Sequence, residues 1–426
     1  MKLSDAALKI IPDSRGENTL RAHLFGSGFN VEADVPSGES RGRHEAFVLE
    51  PEKAVKKFDE IKSEILETDF ESQSDLDAFL LALDGTEDKS NLGGNLTLAL
   101  SLAWARLKAK TEKQELFQYI RSISQLPITN YQLPNPIFNV IEGGVHAQNE
   151  LEFQEFQVIP AISDTSGISN FSDALGLGRE FYYELKSLLE KKFGKENISL
   201  GDEAGFSAPF GKNEEALETL AGLIQKNNYP LSIGMDFAAS QFFKNGSYIL
   251  NGKEYAPADL LKFYLKLISD YKIIALEDPF NEEAFDDFGR LNAEFERGSL
   301  ETYLRGAGNL KTAENVKHQK PTPPLLIADD LTVTNNARLK LAIETRAAGA
   351  LIIKPNQAGT LTETLEVART ASEHGWKTVV SHRSGETMDD FIADLAVGIN
   401  AWGIKAGAPA KPERLVKYER IIKILR

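Results

Sequence analysis

The stretch Gly349-Ala350-Leu351-Ile352-Ile353-Lys354-Pro355 decides how this chain is read. A short apolar run bounded by Gly and Pro reads as a buried strand. The run stops at a charge, where apolar core gives way to a loop. A lone strand-end lysine more often carries its ammonium out to water on an apolar stem. The other reading is a lysine held near further charges, with a lowered pKa, acting as a general base. The remaining strand ends decide between the two.

Similar runs lie on both sides of it. They are Glu155–Ile159, Ile198–Gly201, Leu231–Met235, Lys272–Leu276, Leu325–Ala328, Ala350–Ile353, Thr378–Val380 and Trp402–Ile404, separated by helical stretches. Strands alternating with helices predict βα units and a parallel sheet, and eight of them predict a closed barrel. Earlier in the chain, Ile10–Ile11, Leu20–Phe25 and Phe29–Val35 read as strands, with a hairpin at Gly26-Ser27-Gly28. The stretches Pro51–Glu67, Ser74–Leu83, Asn95–Lys110 and Glu112–Ile120 read as helices, with Ser74 and Asp77 at capping-box spacing. Prolines 127, 134 and 136 mark a boundary. The expected fold is therefore α/β: an eight-stranded (β/α) barrel over 131–426 and a smaller N-terminal α+β domain over 1–130. The polar loop Pro36-Ser37-Gly38-Glu39-Ser40-Arg41-Gly42 is read as a flap carried by the smaller domain. The stretch Glu294–Lys320 reads as an insertion, helical in part.

The last six runs finish at Asp236, Glu277, Asp329, Lys354, His382 and Lys405. In a parallel barrel these ends converge on one face, where active sites are built. A single strand-end Asp is usually a turn former or a helix cap. Six polar ends in succession, the acids together and the basic or titratable groups together, point to one cavity. Two Asp and one Glu make a hard oxygen site suited to Mg²⁺. Lysines beside Arg383 and Ser384 suit a substrate with two anionic groups, such as a carboxylate and a phosphate. The implied chemistry is proton abstraction beside a carboxylate, with metal support. Lys354 is the candidate base, its pKa expected to be lowered by Lys405 and the metal. Glu203, in the turn Gly201-Asp202-Glu203-Ala204-Gly205, is the candidate acid, set against an ordinary β-turn. Gln154 and Glu155 open a strand, and His146 stands in the loop Gly143-Gly144-Val145-His146.

Composition narrows the field. The chain has 426 residues, 42% hydrophobic and 26% charged, enough for a large core. A net charge of −15 disfavours nucleic acid and anionic membrane as partners. The absence of cysteine excludes disulfides, thiolate metal sites and a Cys nucleophile. No apolar run is long enough to span a bilayer and no signal-peptide core is visible, so a cytoplasmic protein is expected.

Taken together these residues resemble enolase, nearly end to end. The resemblance is carried most specifically by Asp329-Asp330-Leu331-Thr332-Val333-Thr334-Asn335 and Ser381-His382-Arg383-Ser384-Gly385-Glu386-Thr387. Asp13-Ser14-Arg15-Gly16, Phe138-Asn139-Val140-Ile141-Glu142-Gly143-Gly144, Glu277-Asp278-Pro279-Phe280 and Lys354-Pro355-Asn356-Gln357 support it. It implies Mg²⁺-dependent conversion of 2-phosphoglycerate to phosphoenolpyruvate in glycolysis and gluconeogenesis. It also implies two Mg²⁺ per active site, the second bound with substrate, and a homodimer or higher homo-oligomer. By motif position Asp236, Glu277 and Asp329 resemble ligands of the first ion, and Ser40 the flap ligand of the second. Lys354 resembles the base and Glu203 the acid, supported by Glu155. Lys405, Arg383, Ser384, His382, Gln154 and His146 resemble substrate contacts. The chain departs from the family pattern at Glu39, Arg41, Val145, Gln148, Ala204 (where glycine is usual) and Ala406, and in the Glu294–Lys320 stretch. Other readings are a related barrel acting on a different carboxylate and a non-catalytic relative that kept the fold.

Overall fold

The computed structural model describes residues 1–38, 42–128, 130–147, 149–163, 166–297 and 323–426. The chain opens with an antiparallel sheet of β1 (Leu3–Pro12), β2 (Asn18–Gly26) and β3 (Phe29–Asp34). Gly26 pairs with Phe29 across a two-residue turn, and both turn residues, Ser27 and Gly28, have positive φ (50° and 80°). That twist matches the flanking strands. Helices Pro51–Glu67, Gln73–Asp84, Gly94–Thr111 and Leu116–Ser124 follow. The third packs on β2 and β3 and is buried almost all round, with Trp104 at its centre.

One cap sits two residues earlier than its spacing suggests. Ser72 and Asp75 form the reciprocal capping box, at 3.1 and 2.9 Å. The sequence offers Ser-x-x-Asp twice, at 72–75 and at 74–77. Asp77 is buried and accepts from the Thr362 amide at 2.9 Å, so it is not available for capping. The fourth helix likewise begins at Leu116 rather than at Glu112, capped by Glu115.

The barrel consists of β4 (Asn135–Glu142), β5 (Glu155–Ile159), β8 (Ser232–Asp236), β12 (Ile273–Glu277), β13 (Leu325–Ala328), β14 (Ala350–Ile353), β15 (Lys377–Ser381) and β16 (Gly403–Lys405). They pair in that order, and β16 pairs back onto β4 to close the ring. The count of eight holds, but the membership differs from the sequence reading. Asn135–Glu142 is the first barrel strand. Its Pro136 and two asparagines hide the apolar alternation, and a proline is tolerated near a strand's start. Ile198–Gly201 is not a barrel strand. Its β6 (Ser199–Leu200) is exposed and pairs antiparallel with β7 (Phe206–Ser207), which joins β4 at Ile141. A small antiparallel sheet of β9 (Phe243–Lys244), β10 (Ser247–Leu250) and β11 (Lys253–Tyr255) follows β8.

The sheet is not wholly parallel either. β5 runs antiparallel to both neighbours, β4 and β8. Its first residue therefore lies at the same mouth as the last residues of the others, and Glu155 pairs with Asp236. Strand side chains alternate faces. The inward set gives a floor of Ile137, Ile159, Ala275, Ile327, Ala350, Ile352 and Val379, packed as one apolar cluster. Two positions further toward the mouth stand Glu277 after Ala275, Asp329 after Ile327 and Lys354 after Ile352. On the reversed strand the same logic runs backward, from Ile159 through Gln157 to Glu155. Among the described residues no helix is long and apolar enough to cross a membrane. The proposed insertion is described only to Arg297, as the end of helix Phe285–Glu296; 298–322 lie outside the described residues.

Candidate active site

The barrel mouth brings the strand-end residues onto one small cavity of about 50 Å³. Gln154, Glu155, Glu203, Asp236, Asp329, Lys354, His382, Arg383, Ser384 and Lys405 all line it. Glu277 lies just beneath, on Lys405. The Lys405 ammonium is buried among carboxylates, 2.8 Å from both oxygens of Glu277, 3.2 Å from Glu155 Oε1 and 3.3 Å from Asp236 Oδ2. Burial works against its charge, but Glu155, Glu277 and Asp236 outweigh it and hold the ammonium well above its ordinary pKa. Burial and the neighbouring acids push Glu155 and Glu277 well above the usual carboxylate range.

Lys354 follows β14 and pairs with Asp329 Oδ2. Its backbone N–H donates to Thr334 Oγ1 at 2.9 Å. Among the protein's own charges the balance runs opposite to the lowering expected with a metal ion beside it. Burial, together with Arg383 and Lys405, does press the Lys354 pKa down, but the Asp329 carboxylate in contact with it lifts the net value above that of a free lysine. Asp329 is correspondingly held below its usual value: burial opposes this, and Lys354 and Lys405 override it.

The acids read as metal ligands face two different cations here. Asp236 and Glu277 gather round Lys405, and Asp329 round Lys354. Among the described residues, Asp278, Asp329 and Asp330 bring carboxylate oxygens within 4.8 Å of one another. Asp278 is a turn carboxylate, accepting from the amides of Asp329 (3.0 Å) and Asp330 (2.7 Å). Burial and Asp329 push Asp330 up to about 7. Asp329 Oδ1 is buried without a hydrogen-bond partner. An orphaned carboxylate oxygen in an all-oxygen acidic site, where burial penalises each negative charge, fits a hard divalent cation.

The same cavity is lined by Glu203. Its turn is held by Glu142, which accepts from Gly205 N at 2.5 Å and Glu203 N at 3.4 Å. Ala204, where glycine is usual in the resembled family, has φ +70°, a conformation that strains any residue with a Cβ. Glu203 Oε2 accepts from Asn139 Nδ2 at 3.1 Å and lies 3.1 Å from His382 Nε2. His382 is fully buried; burial, reinforced by Arg414, pushes its pKa down to about 4 although Glu203 opposes this.

Arg383 donates to Glu45 Oε2 at 3.0 Å and to Asn356 Oδ1 at 3.3 Å. A Cβ at Gly38 would fall 1.9 Å from the Arg383 guanidinium, so any larger residue there would have to displace that side chain. Ser37 and Gly385 exchange backbone hydrogen bonds (2.8 and 2.9 Å), fixing the near end of the flap against the Arg383 loop. Ser40 lies outside the described residues. The backbone of His146 lies in the turn Gly144–His146, and its side chain lies outside the described residues. Gln154 donates to Asp236 Oδ2 at 3.4 Å. Sequence reading assigned no role to Glu45, Asn139, Asp278, Asp330 or Arg414. Three of these stand inside quoted motifs, but a motif does not say which members face inward. Glu45 and Arg414 carry no local signal at all.

Comparison with known proteins accords with this geometry. Residues 4–120 match the family model of the enolase N-terminal domain, and residues 130–300 and 309–426 that of the enolase C-terminal TIM barrel domain. The chain belongs to the enolase family. It is 40% identical over 428 residues to the enolase of Aeropyrum pernix, covering 97% of this chain and 91% of that one. It is 37% identical over 438 residues to the enolase of Methanocaldococcus jannaschii (99% and 95% covered). The enolase of Pyrococcus furiosus is 38% identical over 431 residues (97% and 92% covered).

Proposed function

We propose that this enolase-family chain is a hydro-lyase that dehydrates 2-phosphoglycerate to phosphoenolpyruvate in glycolysis and gluconeogenesis. The observation that carries the reading is a half-buried lysine and a buried glutamate, Lys354 and Glu203, lining one cavity at the barrel mouth. Membership of the family supports it. Lys354 takes the proton from the carbon beside the substrate carboxylate. Glu203 gives a proton to the departing hydroxide, with Glu155 supporting it. Lys405 meets the substrate carboxylate, and Arg383 and Ser384 the phosphate, with Gln154, His382 and His146 as further contacts. A pair of groups lining one cavity can work on adjacent carbons without exchanging roles.

Asp236, Glu277 and Asp329 would hold a first Mg²⁺, and Ser40 a second that arrives with substrate. Such an ion would supply positive charge to the substrate carboxylate and would offset part of the Asp329 charge that favours the protonated form of Lys354. We also propose the division into 1–130 and 131–426, supported by the two family-model matches, a cytoplasmic location, and a homodimer or higher homo-oligomer. The reading is tested by following phosphoenolpyruvate formation after chelation and after Mg²⁺ is restored. We expect turnover to vanish and return. Undiminished turnover in excess chelator, or none with saturating Mg²⁺, would sink it.

A further inference from the structure

Arg414 lies on helix Pro412–Ile424, 0% exposed, directly behind the Glu203 wall. A buried guanidinium normally faces a carboxylate. Among the described residues, the hydrogen-bond partners of Arg414 are all neutral. Nη1 reaches His382 Nδ1 and the Arg383 carbonyl (2.8 Å); Nη2 reaches the carbonyls of Asp202 (3.0 Å) and Ser384 (2.6 Å). One side chain thus ties together the turn before Glu203 and the loop from His382 to Ser384.

The contact with His382 determines more than position. A guanidinium has donors and no acceptor, and it keeps its proton in proteins. The ring nitrogen facing it must therefore present a lone pair, so Nδ1 is unprotonated. A neutral imidazole then carries its hydrogen on Nε2. That nitrogen stands 3.1 Å from Glu203 Oε2, at hydrogen-bond distance though off the hydrogen-bond line. Asn139 Nδ2 donates to the same oxygen at 3.1 Å. An oxygen that already accepts from Asn139, with the His382 nitrogen close beside it, is the poorer place for a proton. In the acid form of Glu203 the proton belongs on the other oxygen, Oε1.

We propose that Arg414 is a positioning residue that locks His382 as the neutral Nε2–H tautomer and thereby fixes which Glu203 oxygen carries the transferable proton. The functional half rests on the assignment of Glu203 as the acid. The charged groups facing the ring are Glu203, Arg414 and Glu386, and Glu386 is itself held by Lys417 at 2.8 Å. Only Arg414 contacts Nδ1 among the described residues.

The test is ¹⁵N NMR of the whole enzyme with labelled histidine, read across about pH 5 to 9, with His382→Gln to assign its signals among the six histidines. We expect an unprotonated Nδ1 and a protonated Nε2 throughout. In Arg414→Lys, one ammonium cannot serve four acceptors. We expect the ring to populate the other tautomer or to titrate, and kcat to fall about 10²-fold with KM changing far less. A protonated Nδ1 in the wild type would overturn the proposal, and that reading needs no variant to fold. So would ring signals that Arg414→Lys leaves unmoved. Full turnover in Glu203→Gln would strike the acid assignment, and the functional half with it. The ring signals do not depend on that assignment, so the two failures are distinguishable.

Discussion

The floor and the mouth of the barrel are made by the same strands and could hardly differ more. On β14, Ala350 and Ile352 belong to an apolar cluster that excludes water, and Lys354, just past the strand's end, belongs to a ring of charges at the mouth. The floor is held by dispersion and by surface removed from water. The mouth costs stability, because each buried charge gives up hydration that its partners only partly replace. The contrast shows where this protein stores stability and where it gives it up.

The sharpest way to break the comparison is at Lys354. Lys354→Ala should cost about 10²–10⁴-fold in turnover, measured as phosphoenolpyruvate formation, with substrate binding partly kept. With saturating Mg²⁺ the folded state should lose little stability, since the ion would balance the Asp329 carboxylate that the lost ammonium leaves unpaired. An active Lys354→Ala enzyme would end its role as the base. Two residues back on the same strand the opposite is expected. Ile352→Ala should lower unfolding free energy by about 2–5 kcal/mol, seen in denaturant titration, with turnover per folded molecule nearly unchanged. If both variants lost activity and stability together, the floor and the mouth would not be separable.

The smallest effect concerns acid stability. His382 has a folded pKa of about 4, against an ordinary histidine value of 6.5 in the unfolded chain. Below that upper value the unfolded chain takes up a proton that the folded ring refuses. Stability therefore falls as pH drops from about 6.5 toward 4, by about 3 kcal/mol from this residue at most. His382→Gln should flatten that part of the stability curve. An unchanged slope would show that the ring is not held neutral.

Much of this contrast was legible in sequence because the alternation of strand side chains is short and strict. A run such as Ala-Leu-Ile-Ile-Lys states its own floor and mouth. The six strand-end residues from Asp236 to Lys405 lie where their runs predict. Legibility failed where a strand breaks the pattern. Asn135–Glu142 places a proline and two asparagines in a buried strand, and the exposed Ser199–Leu200 pair looks like one. The reversal of β5 has no sequence signal, yet it explains why Glu155 belongs to the site from a strand's beginning. The lowered pKa expected for Lys354 followed from counting its cationic neighbours. The contact that sets the balance among the protein's own groups, with Asp329, comes from the end of the neighbouring strand β13 and is a matter of three-dimensional packing. Arg414 was invisible for the same reason: its partners are a ring nitrogen and three carbonyls distant in sequence.

The closing pair of the barrel, β16 against β4, joins Lys405 to Ile137, and this orders the assembly of the chain. Until residue 405 has been made, the sheet has two open edges, each able to recruit the wrong strand. Until then, too, Glu155, Asp236 and Glu277 lack the ammonium that balances them. The residue that completes the ring also delivers the balancing charge. A chain truncated before β16 is therefore expected to stay open and self-repelling, a ready client for chaperones and proteases, while one that reaches Lys405 closes its sheet and neutralises its mouth in the same event.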